Sequence, residues 1–157
     1  MPDLQFVSLS EIDPAEIIAL MNLEPVGRLL PLLRGPFTEA DCAAFLAAKQ
    51  ALWNEHGYGP WAFAIDGRFA GWGGLQAEEG EADFGLVLHP DFWGWGRRIF
   101  ERVRDQAFGE MGLASITALL PPARANARAV ERFGFREDGA VMVGEARFRR
   151  FRLSTNP

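Results

Sequence analysis

The chain has 157 residues, 48% of them apolar and 24% charged, with a net charge of −5. That is the size and composition of one globular domain, able to bury a core without disulfides or a metal clip. No apolar run approaches the roughly 18 residues of a membrane span. The single cysteine, Cys42, excludes an internal disulfide and a cysteine-built zinc site. Net acidity argues against generic nucleic-acid binding.

The first twelve residues contain Asp3 and Glu11 and no basic start, so they do not read as a secretory signal. A reducing, cytoplasmic setting is therefore predicted. Residues 4–9, Leu-Gln-Phe-Val-Ser-Leu, alternate as a first strand. Asp13, Pro14 and Glu16 open a helix whose apolar face is Ile17, Ile18, Leu20 and Met21. Pro25, Pro31 and the Gly35-Pro36 pair predict an irregular segment. Thr38 and Asp41 open a second helix that buries Phe45, Leu46, Ala48, Leu52 and Trp53 and stops before Gly57.

The period then shifts to that of strands. Residues 61–65 and 69–75 flank Asp66-Gly67, a hairpin signal, and residues 83–88 follow an acidic turn of Glu78, Glu79 and Glu81. Trp93-Gly94-Trp95-Gly96 then opens a helix carrying Ile99, Val103 and Ala107. Residues 114–120 form a strand stopped by Pro121-Pro122, and residues 126–133 a helix closed by Gly134. Two strands, around Val141 and over 148–153, end the chain. With no repeat or linker, the order predicts one α/β domain over residues 1–157.

The strongest chemical signal is the strand, glycine turn and helix from Leu86 to Arg98. Uncapped amides at a helix start, with glycines that admit close approach, favour a phosphate, and Arg97 and Arg98 add charge. By itself the turn reads equally as an aromatic-flanked turn packed on the core. It is no dinucleotide fingerprint, because that motif sits on the first strand and helix, and the lysine of a P-loop is missing. Among the acids, Glu78 and Glu79 read as a solvated turn, and Asp83 is evenly balanced between that and a proton acceptor. His89, before Pro90, reads as structural. Cys42, Trp53, Trp61 and Trp72 read as core. The run from Arg147 to Arg152 is predicted to put Phe on one strand face and Arg mainly on a solvated other.

These residues carry a resemblance. Trp93-Gly94-Trp95-Gly96-Arg97-Arg98 resembles the acetyl-CoA pyrophosphate loop of the GNAT N-acetyltransferases, and the Trp-Gly-x-Gly form is most similar to their ribosomal-protein (Rim-type) branch. Glu131-Arg132-Phe133-Gly134-Phe135 resembles the Glu-Lys-x-Gly-Phe ending of that family's next motif. The order of elements matches over nearly the whole chain. The resemblance implies a mixed, mostly antiparallel sheet of six to seven strands, flanked by about four helices, with splayed central strands.

It also implies acetyl-CoA as cosubstrate, no metal, and a primary amine (a protein N-terminus, an amino acid or a small amine) as acceptor. Monomer and homodimer both stay open. By position, the backbone of Leu86 and Leu88 pairs with the pantetheine arm. Trp93, Gly94, Trp95, Gly96, Arg97 and Arg98 surround the pyrophosphate, and Asn126 falls where the family often has a small polar residue touching coenzyme A. Ala123 stands at the usual asparagine position, so that contact is lost or shifted onto Asn126 or Arg124. The family's tyrosine acid is replaced by Val130, and the only tyrosine is Tyr58. Asp83 is then the first candidate base and Glu81 the second. A non-catalytic coenzyme A-binding domain on the same fold is the alternative.

Overall fold

The computed structural model describes residues 3–30, 35–121 and 127–155. Its strands are β1 (Leu4–Val7), β2 (Pro60–Ile65), β3 (Arg68–Glu78), β4 (Glu81–Leu88), β5 (Ser115–Leu120), β6 (Arg136–Val143) and β7 (Ala146–Ser154). They form one seven-stranded sheet in the order β1-β2-β3-β4-β5-β7-β6. Only β4 and β5 run parallel; every other pair is antiparallel. The α-helices are α1 (Pro14–Met21), α2 (Glu24–Gly27), α3 (Glu39–His56), α4 (Gly96–Asp105) and α5 (Arg128–Arg132). The mixed, mostly antiparallel sheet predicted from the sequence is what forms.

Local chemistry accounts for the boundaries. Asp13 caps α1 by accepting the Ala15 N–H, with Pro14 in the first turn. Thr38 and Asp41 form a reciprocal capping box on α3, and Gly57 ends that helix at φ +77°, a backbone conformation that costs glycine little. Asp66 and Gly67 both take positive φ, the two-residue turn that matches the twist of paired strands. Pro25, read as a breaker, instead sits in the first turn of the short α2, where proline's fixed φ suits a helix.

Two cores form, one on each sheet face. On the α4 face Phe63, Leu75, Phe84, Ile99, Phe100, Ile116 and Phe151 are buried together. Phe100 stacks on Phe133 with centroids 4.4 Å apart. On the other face Ile17, Met21, Phe37, Cys42 and Ala62 pack under α1 and α3. The second helix lies more shallowly than predicted: Phe45, Leu46, Leu52 and Trp53 are half-buried and Ala48 is exposed. The Trp53 indole N–H donates to the Pro60 carbonyl, 2.9 Å away, tying the end of α3 to the start of β2.

The last strand departs from its reading. Phe148 and Phe151 are three residues apart, so a period of two puts them on opposite faces. Phe151 enters the α4-face core, and Phe148 shares the other face with Arg150 and Arg152. The arginines are not a solvated row either. Arg149 pairs with Glu137, and Arg150 and Arg152 both bind Asp138, which a bulge in β6 turns toward them.

Gly71 and Gly73 fix how β3 meets β4. Their φ values are +152° and +148°, and a Cβ there would sit 2.1 Å from the Val87 carbonyl oxygen or 2.3 Å from that of Gly85. Only glycine permits this approach. Gly73→Ala is therefore expected to destabilise the fold by about 2–4 kcal/mol, read as a lowered midpoint in urea unfolding.

Candidate active site

The site begins where two strands part. β4 pairs with β3 along its whole length, from Glu81 opposite Glu78 to Leu88 opposite Gly71. Its ladder with β5 holds only Asp83 opposite Thr117 and Phe84 opposite Ala118. From Gly85 to Leu88 the edge of β4 facing β5 has no strand partner among the described residues. Backbone groups freed in this way require other partners. The opening joins the α4 face of the sheet to the α3 face.

On the α4 side the chain leaves β4 through Leu88. The Trp93 indole donates to the Leu88 carbonyl at 2.9 Å, and His89 caps the following 3-10 turn by accepting the Asp91 N–H at 3.0 Å. The structural reading of His89 is thus accounted for. The turn, Pro90–Trp95, runs straight into α4, whose first turn has no side-chain cap. The Gly96 N–H is donated back to the Trp93 carbonyl, and the positive end of the α4 dipole lies at this turn.

Gly94 and Gly96 need not be glycine for the protein's own sake. A Cβ on Gly94 would meet nothing within 4 Å, one on Gly96 only Leu86 Cδ1 at 3.9 Å, and neither has a positive φ. The space they leave suits an incoming anion. Arg97 and Arg98 stand exposed beside it, laid over Phe133 and Trp95 at 5.4 and 4.6 Å from the ring centroids. Trp93 is half-exposed on the same rim. Asn126, Ala123 and Arg124 lie outside the described residues.

On the α3 side, Asp83 is a strand residue as predicted, two positions inside β4 rather than at its start. Its neighbours in sequence, Ala82 and Phe84, enter the α4-face core, so its own side chain takes the opposite face. There its Oδ1 accepts the hydroxyl proton of the buried Thr117 at 3.1 Å. Gln76 and Glu78 of β3, Glu81 of β4, Lys49 of α3 and Arg152 of β7 share this face. Burial raises the Asp83 carboxyl to about 7; the Thr117 hydrogen bond opposes the rise and the Glu78 charge adds to it.

Glu81 is in a different position. Both its carboxylate oxygens accept from Arg152, at 2.7 and 3.3 Å, and Arg152 also binds Ser115 and Asp138. Glu79 is confined to the exposed hairpin turn with Gly80. A shallow depression with room for about 10 Å³, open to solvent, lies among Glu78, Glu81, Thr117 and Arg150. Val130 packs half-buried against the core. Tyr58, in the loop before β2, is kept protonated by burial and by the Glu81 charge. Sequence reasoning passed over Thr117, Gln76, Arg152 and Lys49. Only Lys49 carried a signal, as the one lysine among 16 basic residues.

Comparison with known proteins agrees with this fold. The family described as "Acetyltransferase (GNAT) domain" matches residues 3–136. An acetyltransferase from Agrobacterium tumefaciens superposes with a TM-score of 0.77 at 18% identity, covering 97% of this chain and 91% of that one. A ribosomal-protein-S5-alanine acetyltransferase from Vibrio fischeri gives 0.71 at 16% identity, covering 99% and 93%. A spermidine N-acetyltransferase chimera from Vibrio cholerae gives 0.67 at 14%, covering 98% and 95%.

The Asp83 proton has a thermodynamic signature. The folded state keeps it up to about pH 7, whereas an aspartate with its ordinary value of 3.8 releases it. The folded state therefore binds more protons between those values, and stability falls as pH rises from about 4 to about 7. Asp83→Asn should be more stable than the wild type at pH 8 by on the order of 2–4 kcal/mol, a gain that shrinks toward pH 4. Urea unfolding at the two pH values measures it.

Proposed function

Because the chain belongs to the GNAT acetyltransferase family, we propose that it transfers the acetyl group of acetyl-CoA directly to a primary amine bound across the sheet. The observation that carries this reading is the parting of β4 from β5, which connects a glycine-lined helix start without a side-chain cap to a half-buried carboxyl with a raised pKa. The residues present fit the cosubstrate. The amides from Gly94 to Arg98 would hold its pyrophosphate, Arg97 and Arg98 would add charge, and Trp93 and Trp95 would wall the loop. The free edge at Leu86 and Leu88 would pair with the pantetheine arm.

Acetyl-CoA supplies an activated thioester; the chain supplies position and proton transfer. Holding the amine beside the reacting carbon removes much of the entropic barrier. Asp83 takes the proton that the attacking amine must lose. A base poised near 7 suits that task, since a large fraction of it is ionised at neutral pH and it still accepts a proton readily. The Glu81 carboxylate, occupied by Arg152, is the weaker candidate. An N–H on the free edge of β4 would stabilise negative charge developing on the carbonyl oxygen.

The Trp-Gly-x-Gly loop supports kinship with the Rim-type branch, in which a protein N-terminus is the acceptor; a small amine fits the same chemistry. The buried, unpaired Cys42 suits a reducing cytoplasm. No helix among the described residues is long and apolar enough to cross a membrane. The residues described also contain no cluster of three or more metal-ligating side chains. A coenzyme A-binding domain without turnover is the second reading, favoured by Val130 at the tyrosine position.

Two variants test the proposal. Gly96→Glu puts bulk and negative charge at the pyrophosphate and should abolish acetyl-CoA binding in calorimetry while the melting temperature of the free protein stays within a degree or two. Asp83→Asn should bind acetyl-CoA normally and lower kcat by roughly 10²–10⁴ in a thiol-release assay. The wild-type kcat/KM should rise with pH through about 7. Full activity in Asp83→Asn would remove it as the base, and absence of turnover over a broad amine panel would favour the second reading.

A further inference from the structure

We propose that the acceptor is a small amine carrying a carboxylate close to its nitrogen, an amino acid in the simplest case, and that Lys49 binds the carboxylate. The inference rests on the acetyl-transfer reading and names the substrate class for that site. Lys49 projects from α3 onto the same sheet face as Asp83. Its ammonium donates to the Gln76 side-chain oxygen at 2.9 Å and lies 5.5 and 5.1 Å from the ring centroids of Phe45 and Trp72. Burial lowers its pKa, and the Glu78 charge works to keep it protonated.

The hydrogen-bonding inventory around it is unbalanced. An ammonium carries three donors and a glutamine amide nitrogen two. Gln76 spends its oxygen on Lys49, and its nitrogen has no partner among the described residues. The Trp72 indole N–H is buried with none either. Of these donors the Trp72 indole is the one fully buried without an acceptor, and such an unmet donor costs about 1–3 kcal/mol. A group of donors around one cation is the complement of a carboxylate, which only accepts.

Register ties this group to the base. Gln76 stands directly opposite Asp83, and Trp72 opposite Val87. Between them Gly74 stands opposite Gly85, a cross-strand pair with no side chains. A Cβ on Gly85 would meet nothing within 4 Å. Adjacent strands lie roughly 4.8 Å apart. The bare patch is thus bordered by Asp83 on one strand and by the Lys49 and Gln76 donors above the other. That spacing suits an amine and a carboxylate separated by one or two carbons. A polyamine would bring a second ammonium against Lys49, and a peptide N-terminus would offer it only a neutral carbonyl.

The test compares acceptors by thiol release. The common L-amino acids are screened, and the best is set against its amide, its decarboxylated amine, spermidine and a tripeptide amide bearing it at the N-terminus. The amino acid should be preferred. Lys49→Met should lower its kcat/KM by about tenfold or more relative to the change for the decarboxylated amine, and Lys49→Arg should retain the preference. Equal losses for acid and amine, or a wild-type preference for spermidine, the simple amine or the peptide, would overturn the proposal. Acetyl-CoA titration of each protein separates the two levels. If the wild type does not bind acetyl-CoA, the acetyl-transfer reading falls and this one with it. Binding and turnover without acid preference remove only the choice of acceptor.

Discussion

The open edge of β4 depends on how firmly its other edge is held. A strand that lost one neighbour over its last four residues would drift or fray unless the remaining ladder were rigid. Gly71 and Gly73 supply that rigidity by adopting a backbone closed to other residues and bringing β3 against the Gly85 and Val87 carbonyls. Trp93 then accounts for the Leu88 carbonyl, and the His89 N–H is donated to Ala70. The strand therefore ends in a fixed position although half of its hydrogen-bonding edge is available. Everything attributed to the site follows from this asymmetry. The helix start lies at one mouth of the gap, the aspartate at the other, and their relative position is set by a strand that cannot shift toward β5.

Burial makes the acceptor face chemically different from an ordinary acidic surface. Charged side chains occupy the neighbourhood of Asp83 in nearly balanced pairs. Arg152 neutralises Glu81, Asp138 binds Arg150 and Arg152, and Lys49 offsets Glu78. The main cause of the raised Asp83 pKa is desolvation, with one neighbouring charge contributing. Thr117 limits the rise by donating to the carboxylate form. A fully buried, unpaired carboxyl would be too basic to be ionised at neutral pH, and an exposed one too acidic to hold a proton. The observed surroundings lie between those limits.

Much of this was legible in the residues because local rules and the fold agree. Caps at Asp13 and Thr38, the Asp66-Gly67 turn and the glycine-flanked start of α4 each state a boundary with a physical cause; their order gave one α/β domain, and the family resemblance implied the sheet class. The cofactor loop was legible through its resemblance to the family's motif, because Gly94, Gly96, Arg97 and Arg98 fall within five consecutive residues. The acceptor face was not. The acidic turn was read over Glu78 to Glu81, whereas the hairpin turn is only Glu79 and Gly80, so Asp83 lies inside β4 and not at its start. Thr117 and Arg152 lie 34 and 71 residues from the acids they bind, and nothing local marks such pairs. The misread last strand shows a plainer fault, since Phe148 and Phe151 differ by an odd number and cannot share a face.

The arginine excess now has a mechanical explanation. A short carboxylate on β6 and another on β4 must be bridged across the intervening strands, and the long, forked guanidinium spans that distance while engaging several acceptors at once. Arg152 does so, reaching Glu81, Ser115 and Asp138 from one side chain. It thereby joins β4, β5, β6 and β7 on the face where β4 and β5 begin to separate. A lysine there would hold one partner as a point charge and leave the others unmet. Lysine appears instead at the one position where a compact cation rests on aromatic rings beside a carboxamide, bordering the patch left bare by Gly74 and Gly85. The two cations divide the face between them: arginine ties the strands together below the gap, and lysine leaves donors available beside it.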